Sequence, residues 1–248
     1  MNDHEVARHL AQRAGDLLVG IRSGSDHASP EELAALADVA SHDLLVMLLS
    51  EQRPNDAVLS EEGADDKGRL GADRVWIIDP LDGSWHFSVG DPDFAVQVAL
   101  WECNKGITAA AVYVPDQERM MCTDDEVEEL AIPSKVRIIV SSTRPPANLD
   151  DICHSISAIT SKQVTTLQWG SVGAKLERMI SGQADVYINP DGFYEWDIAA
   201  PLAIARHYGY TVCDCAGNEI ELNKPDTRVE NAVISHPEFV SAVIESLA

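Results

Sequence analysis

Positive charge is scarce in this 248-residue chain: 18 lysines and arginines face 41 aspartates and glutamates, a formal net charge of -23. That balance repels nucleic-acid backbones and anionic membranes and favours cations as partners. Most of the 41 carboxylates are expected only to solvate the surface, so those beside turns and apolar strands carry the information. Cysteine is also sparse. Cys103, Cys122, Cys153, Cys213 and Cys215 are odd in number and lack C-x-x-C spacing, which argues against a disulfide framework or a zinc site and fits a reducing cytoplasm. No stretch approaches the roughly 20 apolar residues that span a bilayer. There is no fixed-period repeat and no low-complexity segment, and Met1 to Glu5 is polar, unlike an apolar leader. The expectation is a cytoplasmic protein with neither a membrane nor a nucleic-acid polymer as partner.

The apolar positions Val6, Leu10, Ala14, Leu17, Leu18 and Ile21 recur at helical spacing. A loop is expected over Gly24 to Ser29, and Ser29-Pro30-Glu31-Glu32 reads as the cap of a second helix running to about Leu49. Ala57 to Ser60 is a short strand ending in Glu61-Glu62-Gly63, and Ala64 to Asp73 reads as a surface loop without period. Phe94 to Trp101 and Ile107 to Val114 read as a hairpin, with a further strand at Arg119 to Cys122. Past a boundary near Pro133, strands at 136–140, 164–167, 184–188 and 211–213 alternate with helices at 149–158, 172–181 and 198–208. Strands in succession and then alternation predict a layered α/β architecture. It divides into an N-terminal α+β half, residues 1–132, and a C-terminal α/β half, residues 133–248, with an active site between them.

One stretch organises the rest: Trp76-Ile77-Ile78-Asp79-Pro80-Leu81-Asp82-Gly83-Ser84. An apolar strand is stopped by Asp-Pro and then Asp-Gly, which predicts a turn holding two carboxylates at a strand end. Gly83 permits close backbone approach, and Ser84 stands where a helix would start, a place for an anion. The ordinary reading of the same residues is a strand, a turn and a helix cap. Other element ends tip the balance: Glu61 upstream and Asp197 downstream repeat the pattern. Glu61, Asp79, Asp82 and Asp197 brought together would repel strongly unless hard cations neutralised them, and an all-oxygen set suits Mg²⁺ or Mn²⁺. Asp79 could bridge two ions, with the Leu81 carbonyl as a neutral ligand. Paired ions polarise a phosphoryl oxygen and activate water, so phosphate-ester hydrolysis is the expected chemistry.

Glu61-Glu62, the Trp76 to Ser84 stretch and Trp196-Asp197-Ile198-Ala199-Ala200 together resemble, in order and spacing, the motifs of the lithium-sensitive, magnesium-dependent phosphatases of the inositol monophosphatase superfamily. The resemblance extends over essentially the whole chain. It implies an αβαβα sandwich, one Mg²⁺ on Glu61, Asp79 and the Leu81 carbonyl, a second on Asp79, Asp82 and Asp197, and a weaker third near Glu61. Li⁺ would inhibit. In that family a threonine hydroxyl bonded to an upstream aspartate helps activate water; here Ser84 takes its place, and spacing makes Asp38 the partner. With Glu61, these form the expected catalytic set.

Within the superfamily the chain resembles the bacterial 3'(2'),5'-bisphosphate nucleotidases, a likeness carried by Asp56 to Glu62, Arg74 to Gly83, Thr143 to Pro146 and Glu195 to Pro201. That likeness implies a cytoplasmic enzyme taking the 3'-phosphate from 3'-phosphoadenosine 5'-phosphate. Gly83, Ser84, Gly170, Ser171 and Lys175 would meet phosphate, and Ser142, Thr143 and Arg144 would line the nucleotide side. The chain departs at Ser84-Trp85-His86-Phe87, where those enzymes have Gly-Thr, a basic residue and Glu-Phe; His86 is expected to be packed among aromatics. Inositol monophosphate or fructose 1,6-bisphosphate on the same machinery is the first alternative. An inactive protein that binds Mg²⁺ or a phosphorylated ligand is the second. Homodimers are common in the superfamily, and no residue marks an interface.

Overall fold

A computed structural model describes residues 1–24 and 29–247. The loop expected over Gly24 to Ser29 falls mostly outside them. Helix α1 (Asp3–Gly24) buries Val6, Leu10, Ala14 and Leu18 along one stripe. Helix α2 (Pro30–Gln52) starts on the expected cap: the Ser29 hydroxyl accepts from the Glu32 N–H, and the Glu32 carboxylate accepts from the Ser29 N–H. By length and composition α2 is apolar enough to cross a membrane, contrary to the sequence expectation, yet it contains Asp38 and Asp43 and buries Leu33, Ala37, Leu45 and Leu49 in the core.

Strands β1 (Ala57–Ser60), β2 (Arg74–Asp82), β3 (Ala95–Glu102), β4 (Gly106–Val114) and β5 (Arg119–Cys122) form the first sheet in that order. Strands β1 and β2 are parallel, with Ser60 beside Ile78; the remaining pairs are antiparallel. Side chains alternate across β2: Trp76 and Ile78 face α1 and α2, whereas Val75 and Ile77 join the core beneath. The turn expected at Asp79-Pro80 is instead an irregularity within β2. Asp79 pairs with Gln97 and Asp82 with Ala95, and the register shifts between them. Pro80, having no N–H, is tolerated at such a bulge, and the buried Ser41 hydroxyl secures its carbonyl at 2.7 Å.

A short helix, α3 (Ser84–Ser88), follows β2. The second half supplies β6 (Val136–Ser141), α4 (Leu149–Thr160), β7 (Val164–Trp169), α5 (Val172–Ile180), β8 (Val186–Asn189), β9 (Phe193–Tyr194), α6 (Glu195–His207), β10 (Thr211–Cys213), β11 (Arg228–Val229), β12 (Ala232–Ser235) and α7 (Val240–Leu247). The second sheet has order β10-β12-β8-β6-β7, and β9 pairs with β11 in a separate ribbon. Helices α5 and α6 lie between the sheets, while α4 and α7 cover the outer face of the second. The layers are therefore αβαβα. The alternation expected after residue 133 is present, with ends moved: β8 starts at Val186, the Ala184 N–H still bonding the Arg178 carbonyl of the preceding turn, and α6 begins at Glu195, so Asp197 lies in its first turn.

The segment Ala64 to Asp73 is not featureless. It contains a 3₁₀ turn (Lys67–Gly71) that aims the fully buried Arg69 across the molecule. Its guanidinium donates to Asp65 at 2.7 and 3.0 Å, to Asn223 Oδ1 at 2.6 Å and to the Lys224 carbonyl at 2.8 Å. The Asn223 and Lys224 N–H groups donate in turn to Glu195, the buried first residue of α6. One arginine thus fixes where the Asp197 helix starts. Arg69→Met strips the buried partners of their donor and is expected to lower stability in urea by about 3 kcal/mol; a loss under about 0.5 kcal/mol, the size of a surface substitution, would contradict this role.

Candidate active site

The parallel pairing of β1 with β2 brings two strand ends together, so Glu61 emerges beside Asp79. Across from them, β6, β7 and β8 are parallel neighbours with β6 in the middle. The chain leaves β6 through α4 for β7 on one side and leaves β7 through α5 for β8 on the other side of β6, which opens a crevice at the carboxyl ends of these strands. The cleft there has a volume of about 580 Å³. Glu61, Asp82, Gly83 and Ser84 line one side, with Asp197 from α6; Thr143, Arg144, Gly170, Ser171 and Lys175 line the other.

Asp79 is wholly buried beneath this cleft. Its Oδ1 accepts from the Leu81 N–H at 3.0 Å, but among the described residues Oδ2 has no hydrogen-bond partner. Burial raises the Asp79 carboxyl well above the usual range, and Glu61, Asp82 and Asp197 push it further. Asp197 is raised by burial, and by Asp82 in addition, against the 2.6 Å bond that its Oδ2 accepts from the Tyr194 N–H. Glu61 moves the same way through loss of water and then repulsion by Asp197, an effect moderated by solvent at the cleft mouth. Asp82 Oδ2 accepts from Gln97 Nε2 (2.6 Å), the Ser171 hydroxyl (2.6 Å) and the Gly173 N–H (2.7 Å). The four carboxylates share one electrostatic neighbourhood. In their present rotamers, however, no three of them gather their oxygens within 4.8 Å; among the described residues His86, Asp91 and Asp93 do so, as do Cys122, Asp124 and Asp125. The latter trio is bound by Arg8, whose guanidinium donates to both aspartates.

Ser84 Oγ lies 3.1 Å from Asp38 Oδ1 and 3.1 Å from the Leu81 carbonyl, so one hydroxyl proton serves two acceptors. The acidic residue inside the apolar helix α2 is thus explained. Burial lifts the Asp38 carboxyl to about 6, with the Ser84 bond opposing. Gly83 precedes at φ +92°, and a Cβ there would stand 2.8 Å from the Asp93 carbonyl, so the turn requires glycine.

On the facing wall, Lys175 is buried and donates to the Gly170 carbonyl at 2.9 Å. Burial lowers its ammonium to about 8, with Asp82 opposing the shift. Ser171 occupies a left-handed backbone conformation (φ 33°) that lets its hydroxyl both reach Asp82 and accept from the Ala174 N–H. Ser142 is not among the lining residues: its N–H is held by the Trp169 carbonyl and its hydroxyl faces His86 at 3.5 Å, while Ser141 takes the lining position. His86 is buried against Trp85, as expected, but it also lines the cleft, with Nδ1 3.3 Å from Asp91. Sequence reasoning missed Asp93, Gln97, Tyr187, Asn189 and Arg228; of these, only the polar Gln97 inside an apolar strand carried a visible signal.

The sequence and the fold have counterparts among known proteins. The model of the inositol monophosphatase family matches residues 3–247. The chain belongs to this family. As a family member it is 35% identical to the 3'-phosphoadenosine 5'-phosphate phosphatase of Mycobacterium leprae, over 98% of this chain and 93% of that protein. It is 30% identical to the 3'(2'),5'-bisphosphate nucleotidase CysQ of Salmonella typhimurium, over 88% of this chain and 92% of that protein. The crystal structure of CysQ from Bacteroides thetaiotaomicron superposes with a TM-score of 0.78 at 27% identity, covering 94% of this chain and 97% of that one. Inositol monophosphatase-II from Staphylococcus aureus, at 18% identity and a TM-score of 0.80, covers 100% of this chain and 96% of its own and shares the αβαβα fold.

The acidic groups of this family member fit a hard cation. An acceptor-only carboxylate oxygen, buried and without a donor, stands at the centre of the cluster as Asp79 Oδ2. Acids with raised folded pKa values hold protons that the unfolded chain has released. Their stabilising contribution is therefore complete below the usual carboxylate range and declines as pH rises. With chelator present, the melting temperature is expected to fall between about pH 5 and pH 8, and Mg²⁺ is expected to reduce that fall. A chelated protein whose melting temperature stays flat across this window would contradict the crowding of these carboxylates.

Proposed function

We propose that this protein is a Mg²⁺-dependent phosphomonoesterase that hydrolyses 3'-phosphoadenosine 5'-phosphate to AMP and phosphate. The observation that carries the reading is the Ser84 to Asp38 hydrogen bond beside four crowded carboxylates, in a chain resembling phosphatases of that name over nearly its full length. Glu61, Asp79, Asp82, Asp197 and the Leu81 carbonyl would hold two ions, with a third near Glu61; Mn²⁺ suits the same oxygens. Bound there, Mg²⁺ supplies charge neutralisation and a lowered pKa for water.

This chain's own residues do the rest. Ser84 donates its hydroxyl proton toward Asp38 and the Leu81 carbonyl, so its lone pairs are free to accept a hydrogen bond from the attacking water and orient it. Asp38, ionised above about pH 6, is the acceptor that holds this arrangement at neutral pH. The backbone N–H groups of Gly83 and Ser84 receive phosphate oxygens. Lys175 remains charged at neutral pH and, through the Gly170 carbonyl, is pinned toward the phosphate. Ser171 links Asp82 to the phosphate side, and Thr143 and Arg144 border the nucleotide. Five free cysteines accord with a reducing cytoplasm.

The test is phosphate release from 3'-phosphoadenosine 5'-phosphate, inositol 1-phosphate and fructose 1,6-bisphosphate, each with Mg²⁺, with chelator and with added Li⁺. Fastest release from the nucleotide, abolished by chelator and depressed by Li⁺, is expected; preference for another substrate replaces the nucleotide assignment. Ser84→Ala is expected to lower kcat about 100-fold, as for loss of a proton-positioning group, and Ser84→Thr to keep most activity. Full activity in Ser84→Ala would remove the hydroxyl from the mechanism.

A further inference from the structure

Two arginines on the cleft wall are left unpaired in a protein where carboxylates outnumber cations by more than two to one. Most other guanidiniums find acids: Arg8 meets Asp124 and Asp125, Arg22 meets Asp116, Arg74 meets Asp3, Asp56 and Glu102, and Arg137 meets Asp185; exposed Arg13, which does not border the cleft, is an exception. Arg144 and Arg228 are exposed and border the cleft, and among the described residues neither guanidinium has a hydrogen bond or an ion pair. Asp191 borders the same cleft without engaging either. An exposed guanidinium that forgoes neighbouring carboxylates keeps its forked donors free for an anion from solution.

Arg228 is the more rigidly placed. Its strand β11 pairs with β9 so that Arg228 stands opposite Tyr194, the residue whose N–H donates to Asp197. Its own N–H donates to Asp226 at 3.0 Å, and the following Val229 is buried. The guanidinium lies over Gly192, which has φ +79°; a Cβ at that position would come within 3.2 Å of Nη2 and 3.0 Å of the Glu230 carbonyl. The glycine keeps the space into which Arg228 extends along the cleft. The ribbon therefore sets a fixed positive charge one strand pair from an acidic residue of the expected reaction centre.

We infer that Arg228 binds the phosphate of the substrate that is not cleaved, and so selects bisphosphates over monophosphates. The inference rests on the nucleotidase reading and adds to it the residue that recognises the second phosphate. A ribose carries its 3'- and 5'-phosphates on opposite sides of one small ring. With the first beside the carboxylates, the second needs a cation on the same cleft, and Arg144 and Arg228 both border it from separate elements.

The test compares 3'-phosphoadenosine 5'-phosphate with adenosine 3'-monophosphate, which lacks only the 5'-phosphate, in wild type, Arg228→Gln and Arg228→Lys. Wild type is expected to show the lower KM for the bisphosphate. Arg228→Gln is expected to raise that KM about tenfold or more, the order for losing a charge-assisted contact, with kcat nearly kept and a much smaller change for the monophosphate. Arg228→Lys should retain part of the preference, and added NaCl should erode it in wild type more than in Arg228→Gln. Equal changes in both KM values, or a preference that survives Arg228→Gln, would overturn this inference alone. A wild type that acts on neither nucleotide, or does not distinguish them, would overturn the nucleotidase reading and this inference together. Matching melting temperatures would establish that the exposed substitution leaves the fold intact.

Discussion

Repulsion among Glu61, Asp79, Asp82 and Asp197 is the constraint on which the rest of the structure depends. Left uncompensated, ionised carboxylates crowded at one strand end would cost several kcal/mol. The fold nevertheless brings them together by rigid means: parallel β1 and β2, a register shift through Pro80, and the first turn of α6. None of these is a loop free to relax. Strain of this kind persists only where the surroundings over-determine it, and here the determinants are visible in Ser41 on the Pro80 carbonyl and in the Arg69 to Glu195 chain of bonds. A cation would answer the repulsion, and Asp79 Oδ2, buried without a hydrogen-bond partner among the described residues, is the oxygen that most needs one.

The opposite wall obeys a different rule. Parallel strands on either side of β6 create a crevice at their carboxyl ends, and the segments leaving them furnish Arg144, Ser171, Lys175 and the turn at Gly192. The first half thus provides most of the negative charge and the second half the positive, with Asp197 crossing over on α6. Family membership accords with a phosphate-ester chemistry, for which the cleft offers carboxylates on one wall and cations on the other.

Much of this was readable in the residues. Helical periodicity gave α1 and α2, the cap at Ser29 was placed correctly, and Asp38 stood out as an acid in an apolar helix. Short-range signals failed where longer-range contacts decide. Asp-Pro ordinarily ends a strand, but pairing with β3 carries β2 through to Asp82. Ala64 to Asp73 has no period because Arg69 answers to Asn223 and Lys224, more than 150 positions away. The β9 and β11 ribbon is two residues per strand, too short for any pattern, so Arg228 was invisible until the chain was folded. Ser142 and Ser141 illustrate the same limit: neighbouring hydroxyls at a strand end point to different sides, and only the three-dimensional course of the chain tells which meets the cleft.

The account turns on whether crowded, proton-holding carboxylates exchange their protons for a cation. Calorimetric titration of the metal-stripped protein with Mg²⁺ at neutral pH, in two buffers of different ionisation enthalpy, counts the protons released on binding. Net proton release that is diminished in Asp79→Asn is the predicted result. Binding without proton release, or release unchanged by that substitution, would contradict the electrostatic basis of the site.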